Sequence, residues 1–332
     1  MKRIITLFLT LALALSLAAC AAPGEKADDG KIQIVATLFP YYDFARAIAG
    51  GRADVTLLLS PGREAHSFEP TPLDAVTISE ADVFLYNGGE GEYWVEEMLD
   101  AAGEHIAVKA RMMDYVDALG EEFSEGMQGA DEHGHDHDHD DHDHDHEEDE
   151  HDSDEIEYDE HIWTSPKNAA ILCRAVCEAI CKADPANEDF YRANCDDYCA
   201  QIEALDARFA DLCESAPRKL LIFADRFPML YFCREYGLDY RAAFHGCSGD
   251  TEPSLATIKF LIDKVEDENI PVVYTIDFGT KKVAAVVSEC TGAAIETIYS
   301  MQTVSRADFD AGETYLTLME RNFEALRKGL NE

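Results

Sequence analysis

Histidine and acidic residues are concentrated in one central window of the chain. Residues 131–160 contain 18 of the 67 Asp and Glu residues, 8 of the 12 His residues, and no Lys or Arg. We refer to residues 131–155 as the His/Asp tract. Neutral imidazole favours zinc, copper and nickel over calcium and magnesium, and tracts of this composition bind metals. The sequence predicts an auxiliary metal-capturing segment here, with an acidic solubilising loop as the alternative. Its candidate ligands are His133, His135, His137, His139, His142, His144 and His146.

A second set of metal-ligating side chains is spread along the chain near the ends of strand-like segments. The set consists of His66, His161, Asp225, His245 and Asp277. In open α/β sheets ligands bind at the carboxyl ends of the strands, so we expect these side chains to converge there. Imidazole and carboxylate together suit Zn²⁺ or Mn²⁺. Each residue alone has an ordinary alternative, as a solvated loop histidine or an aspartate that caps a helix.

The overall composition limits the classes of protein that fit. A chain of 332 residues predicts about two domains, and 47% apolar residues are enough to build a core. The formal net charge of −40 argues against nucleic acid as a partner, because phosphate binding needs a Lys/Arg face. The same charge is compatible with a cationic ligand.

The N-terminal segment predicts export and lipid attachment. Two basic residues precede an apolar run over 4–19 that is short for a membrane span, which is typical of a signal peptide over 1–19. Small residues directly before Cys20 resemble a bacterial lipobox, which implies cleavage before Cys20 and a lipid on its sulfur. A polar tether over 20–30 follows. We expect an extracytoplasmic protein anchored by lipid to the cell membrane. An ordinary signal peptide is the alternative.

Nine cysteines follow Cys20. An exported location permits disulfides, and an odd number leaves at least one cysteine without an intramolecular partner. Cys173, Cys177 and Cys181 repeat every four residues, as do Cys195 and Cys199. On helices each group lies on one face, where a small apolar side chain is often simply buried. We favour core packing, with room for one or two disulfides, over a thiolate metal site.

Strand-like and helix-like segments alternate in both halves of the chain, which predicts parallel sheets flanked by helices. The predicted strands of the first half cover 31–38, 53–59, 81–86 and 105–109, and those of the second half cover 219–224, 239–244, 271–276 and 294–299. Between the halves, apolar residues over 186–213 recur at spacings of three, four and seven, as on one helix face. That helix would be about 42 Å long and suits a rigid connection between two lobes.

Five segments of the chain are specific enough to compare with known families. They are LFPYYDF (38–44), PGREAHSFEPTP (61–72), SEADVFLYNG (79–88), DEHIWTSPKN (159–168) and YGL (236–238). In these segments the chain resembles the metal-binding solute-binding proteins of bacterial zinc and manganese ABC importers. This resemblance covers nearly the whole chain after the signal peptide. It implies an α/β fold with two lobes, each a parallel four-stranded sheet flanked by helices, joined by a long backbone helix. The expected boundaries are 31–184 for the first lobe, 185–216 for the linking helix and 217–332 for the second lobe. A disordered loop is expected over about 121–156.

The resemblance also carries ligand positions onto this chain. It implies that His66 is the first ligand and His161 the second. The third position, usually a histidine or glutamate, falls on Ala224, so Asp225 or His245 would have to replace it. Asp277 is the nearest match to the acidic fourth ligand. With His245 the set is nitrogen-rich and zinc-like, whereas with Asp225 it would suit Mn²⁺ equally. The His/Asp tract favours zinc.

The expected function is therefore that of a receptor, not an enzyme. It would capture Zn(II) in the cleft between the lobes and deliver it to an ABC permease in the membrane. A manganese receptor of the same fold is one alternative. A secreted metalloenzyme or a surface adhesin are others, although the sequence contains neither HExxH nor GxSxG.

Overall fold

The computed structural model describes residues 30–65, 68–102, 105–128, 157–248 and 252–331. Residues Ile32–Glu332 form one compact unit. The predicted signal peptide, Cys20, His66 and the whole His/Asp tract lie outside the described residues. None of the helices in the described ranges is long and apolar enough to cross a membrane.

The first half of this unit forms a four-stranded parallel sheet. Its strands are β1 (Ile32–Ala36), β2 (Ala53–Leu57), β3 (Val83–Tyr86) and β4 (Val108–Arg111), in the spatial order β2-β1-β3-β4. The central strands are nearly continuous apolar runs, because helices cover both faces of a parallel sheet. The predicted strand over 105–109 is shifted, since pairing with β3 begins only at Val108.

The second half repeats this arrangement. Its strands are β5 (Leu220–Phe227), β6 (Asp239–His245), β7 (Val272–Ile276) and β8 (Ala294–Ile298), in the order β6-β5-β7-β8. All three pairings are parallel. The two sheets therefore share one topology, and the fold predicted from the resemblance, with two parallel four-stranded sheets, is confirmed.

Helices connect the strands and cover the sheets. In chain order they are α1 (Phe39–Ala49), α2 (Pro72–Ser79), α3 (Trp94–Ala102), α4 (Pro166–Ala183), α5 (Glu188–Ser215), α6 (Leu230–Tyr236), α7 (Leu255–Asp267), α8 (Lys282–Thr291), α9 (Arg306–Ala311) and α10 (Tyr315–Asn331). Ser165 caps the start of α4: its hydroxyl accepts a hydrogen bond from Asn168 N, and Pro166 follows it.

The long helix α5 runs over 28 residues, two positions later than predicted at each end. It packs against α4 and also contacts α1, α6 and α10. The buried carboxylate of Asp43 on α1 joins three of these helices. Its Oδ2 accepts hydrogen bonds from the Tyr198 hydroxyl at 2.5 Å and from Tyr315 N at 2.9 Å. The last helix of the chain is thereby tied to the first.

The segment that follows β4 differs from the prediction of disorder beginning near residue 121. Residues 121–128 are held by backbone hydrogen bonds, among them Glu121 N to Glu157 O at 2.8 Å and Gln128 N to Ala243 O at 3.0 Å. Gly120 and Tyr158 also form an isolated antiparallel bridge. Acidic composition alone predicted disorder, but this stretch gains order from backbone partners far away in the chain.

Candidate metal centre

His161 is a buried histidine at the entrance to α4. Its side chain is 2% exposed, and a 3-10 turn over Ile162–Thr164 separates it from the helix. Asp159 orients it: Oδ1 lies 3.2 Å from His161 Nδ1 and accepts a hydrogen bond from His161 N at 2.8 Å. A carboxylate on one ring nitrogen fixes the tautomer and orientation with which the other nitrogen binds metal.

Negative charge surrounds this imidazole. Burial disfavours its charged form, but the charge and hydrogen bond of Asp159, together with the charges of Glu121 and Glu160, outweigh burial. The pKa of His161 is therefore raised above its ordinary value. The same field that favours a proton on the ring also favours a metal cation beside it.

His245 ends β6 and shares a carboxylate with His161. Its Nδ1 lies 3.1 Å from Glu121 Oε2, and Cys247 N donates a hydrogen bond to Glu121 Oε1 at 3.2 Å. The hydrogen bond to Glu121 raises the pKa of His245. Glu121 therefore influences both histidines, although its position lay within the segment for which we predicted disorder.

Asp277 follows β7 directly. Its Oδ1 accepts a hydrogen bond from Ser300 N at 3.2 Å. Burial raises the pKa of Asp277 to about 7, and the charge of Glu64 contributes in the same direction. A carboxyl group that keeps its proton near neutral pH in the absence of a cation is one that a bound cation would stabilise strongly as the carboxylate.

A small cavity lies where these segments meet. It is lined from both halves of the chain by Glu64, His161, Arg226, Pro228, Gly246, Ile276, Phe278, Ser300, Gln302 and Thr303. His161 lines it directly. His245 and Asp277 are each next in sequence to lining residues, so three of the predicted ligands belong to this one region.

Gly246 permits the close approach of the β6 end to His161. A Cβ atom at this position would lie 2.9 Å from Phe227 O and 3.1 Å from both Asp159 Oδ2 and His161 Cε1. The backbone oxygen cannot move aside as a flexible side chain could. A side chain here would therefore push the loop after β6 away from the buried histidine.

Asp225 lies in β5 and is bound to its own sheet. Its Oδ2 accepts hydrogen bonds from Thr275 Oγ1 at 2.6 Å and from Ile276 N at 3.3 Å, and its Oδ1 accepts one from Arg226 N at 2.9 Å. It is not among the residues that line the cavity. His245 is not among the lining residues either, but both carboxylate oxygens of Asp225 already accept hydrogen bonds, so we prefer His245 as the replacement for the third ligand.

An ion pair across the cavity was not predicted. Arg226 donates from Nη1 and Nη2 to the two carboxylate oxygens of Glu64, at 3.3 and 3.1 Å. The only signal in the sequence was the position of Glu64 two residues before His66.

The described candidate ligands are also not gathered at one point. Within the described residues, three ligand atoms lie within 4.8 Å of one another only in a cluster of cysteines.

Two halves that meet at a cavity lined by imidazole and carboxylate groups define a two-lobed binding protein, because ligand pockets commonly form at such junctions. The sequence model of the family ZnuA, described as the zinc-uptake complex component A, periplasmic, matches residues 34–329. The high-affinity zinc uptake system protein ZnuA of Bacillus subtilis is 32% identical over 328 residues, which are 98% of this chain and 97% of that protein. The chain belongs to the ZnuA family.

Other relatives agree with this assignment. The zinc-binding lipoprotein AdcA of Streptococcus pneumoniae is 30% identical over 329 residues, or 99% of this chain, but the chain spans only 61% of AdcA. The crystal structure of the Zn(II)-bound ZnuA-like domain of that AdcA has a TM-score of 0.71 and 25% identity, covering 91% of this chain and all of that one. The metal-dependent lipoprotein YcdH of Bacillus subtilis has a TM-score of 0.72 and 27% identity, covering 90% of this chain and all of that one.

Proposed function

We propose that this chain is an extracytoplasmic receptor that captures Zn(II) in the cavity between its two sheets and delivers it to an ABC permease. A lipid on Cys20 would hold it at the cell membrane. The observation that carries the proposal is the buried His161, whose Nδ1 faces the carboxylate of Asp159 at a cavity lined from both halves. The membership of the chain in a family of zinc-uptake components supports it.

The proposed ligands are His161 from the first half, Asp277 from the second half and His66, with His245 ahead of Asp225 as the third-position replacement. Three imidazoles and one carboxylate with His245, or two of each with Asp225, make a donor set that suits zinc. Because His161 precedes α4 and Asp277 follows β7, a metal bound to both would favour the arrangement of the halves that brings them together. No turnover is needed for this role, so the protein is proposed not to be an enzyme.

The proposed delivery step requires that metal binding be reversible. The ion pair between Glu64 and Arg226 is relevant to this reversibility, because it joins the loop before His66 to β5. Among the residues that line the cavity, Arg226 is the one arginine or lysine. Its positive charge offsets part of the negative charge of the surrounding carboxylates. The cavity therefore attracts a cation less strongly than its carboxylates alone would.

The test is calorimetric zinc titration of the chain with the His/Asp tract deleted. We expect His161→Ala to weaken zinc affinity at least about tenfold, because it removes a buried ligand. His105→Ala is the matched control, since His105 is exposed and does not line the cavity. Equal affinities for the His161→Ala and control proteins would refute the site. A manganese receptor remains the second candidate, and tighter binding of Mn²⁺ than of Zn²⁺ in direct competition would favour it.

A further inference from the structure

The helices α4 and α5 form a hairpin whose contact surface is rich in thiols. Cys173, Cys177 and Cys181 lie on α4, and Cys195 and Cys199 lie on α5, all of them buried. Only four residues connect the helices, so they pack as antiparallel neighbours. Five of the nine cysteines after Cys20 thus lie in a single interface.

Three of these thiols converge, and a fourth lies one helical turn away. The sulfur atoms of Cys173, Cys195 and Cys199 all lie within 4.8 Å of one another, and the Sγ atoms of Cys195 and Cys199 are 3.8 Å apart. Cys177 follows Cys173 by one turn on the same face of α4, and its Sγ lies 3.9 Å from Cys181 Sγ. We call Cys173, Cys177, Cys195 and Cys199 the thiol cluster. A tetrahedral zinc site with Zn–S bonds of about 2.3 Å places neighbouring sulfurs about 3.8 Å apart.

We propose that the thiol cluster is a second metal site, at which the thiolates of Cys173, Cys177, Cys195 and Cys199 bind one Zn(II). Each helix contributes a pair of ligands spaced four residues apart, which puts both members of a pair on one face. Binding releases the four thiol protons to solvent and leaves a doubly negative complex. Nothing is oxidised or reduced. The site is closed to water, as structural zinc sites are.

A positive charge lies beside the cluster. Neighbouring thiols lower the pKa of Cys195, and the charge of Arg174 on α4 contributes to that lowering. Neighbouring thiols and burial raise the pKa values of Cys173 and Cys177, so zinc has to displace the protons of these two thiols. Arg174 also lowers the pKa of Cys199, although other contacts raise that pKa overall. A guanidinium beside the cluster partly compensates the negative charge that a zinc tetrathiolate would bring into the interface.

The arrangement differs from that of two discrete disulfides. The sulfur of Cys195 lies within 4.8 Å of two other thiol sulfurs rather than one, and the sulfur pair at 3.8 Å lies along a single helix rather than across the interface. Without metal, the thiols donate to main-chain oxygens, and zinc binding would replace these weak hydrogen bonds. Cys195 donates to Cys173 O at 3.8 Å and Cys199 to Ala170 O at 3.7 Å.

The experiment uses Co(II) as the probe in the full mature chain, prepared anaerobically with reduced thiols. Thiolate ligands give Co(II) an intense sulfur-to-metal charge-transfer absorption that histidine and carboxylate ligands do not. We expect this absorption to reach its maximum when one Co(II) per chain is bound by thiolates. Addition of Zn(II) should then remove it. Cys195→Ser should reduce it at least about tenfold, because the central ligand is removed. The matched control is Cys213→Ser, a buried cysteine of the same helix outside the cluster.

Several outcomes would overturn the proposal. One is the absence of the charge-transfer absorption in the unmutated protein, a result that does not depend on whether any variant folds. A second is equal absorption in Cys195→Ser and Cys213→Ser. A third is binding of Cu(I) by three of the thiolates in a protein that retains no zinc. Cross-linked peptides joining Cys173 to Cys199 or Cys177 to Cys195 in protein isolated without reductant would show disulfides instead. His161→Ala should leave the absorption unchanged, so this inference and the proposed function can fail separately.

Discussion

At the scale of single residues, the buried pair of Asp159 and His161 carries most of the proposed metal chemistry. Asp159 accepts from both the backbone and the ring of His161, so it sets the position of the imidazole as well as its charge. Such outer carboxylates commonly change metal affinity by about 10- to 100-fold when they are removed. They also determine how strongly protons compete with the metal.

The charge of Asp159 can be removed with little change of shape by Asp159→Asn. Because Asp159 raises the pKa of His161, zinc must displace a proton from the wild-type ring as pH falls through that raised pKa. We expect Asp159→Asn to bind zinc about tenfold more weakly at pH 8, but to lose less of its affinity between pH 8 and pH 6. Calorimetric titrations across that range, with NMR of the imidazole, measure both effects. An unchanged pH dependence would contradict the role assigned to Asp159.

At the scale of elements, the loop after β6 is fixed by a glycine. The Cβ of Gly246→Ala would meet Phe227 O at 2.9 Å, so the loop must shift away from His161. We expect a loss of zinc affinity together with a loss of stability of about 1–3 kcal/mol, measured by calorimetry and denaturant unfolding.

Gly237→Ala serves as the control for that substitution. Gly237 has a left-handed φ of +64° and open space around its Cβ position. Its replacement should cost stability through backbone strain without changing zinc affinity. If the two alanine variants bind zinc equally well, the close approach at Gly246 has no bearing on the metal.

Most elements could be predicted from the sequence, because strand and helix patterns are local. The apolar runs of β1, β3, β5 and β7 and the face of α5 are examples. The site was only partly predictable, because its contacts are distant in sequence. Glu121 and His245 are 124 residues apart, and Glu64 and Arg226 are 162 residues apart. No local pattern in either partner indicates the other, and an acidic composition concealed the order around Glu121.

At the scale of the whole molecule, the His/Asp tract and the cavity are proposed to have different roles in metal capture. The tract would bind several metal ions weakly, and the cavity would bind one tightly. The sequence predicts that the many ligands of the tract have no fixed positions, whereas His161 and Asp277 are held by neighbouring backbone and carboxylate groups. A ligand set that must be ordered on binding has to offset that loss of entropy, so it binds each metal less tightly.

Deletion of residues 131–155 tests this division. We expect fewer weakly bound zinc ions per protein and an unchanged affinity of the tightest site, measured by native mass spectrometry and competition with a chelator. A full-length variant with every tract histidine replaced by asparagine separates the imidazoles from the acidic charge and should behave like the deletion. Loss of the tightest site in either protein would assign that site to the tract.

The hydrogen bonds of Asp43 have a consequence for the order in which the chain acquires its structure. Each sheet is made from one continuous stretch of chain, so each can form from contacts of short sequence separation. Asp43, however, needs Tyr315, which lies 272 residues later. The buried carboxylate of α1 therefore lacks one of its hydrogen-bond donors until α10 has formed. The chain must therefore be synthesised at least as far as Tyr315 before the native state is reached, and removal of α10 would leave the buried carboxylate of α1 without one of its hydrogen bonds.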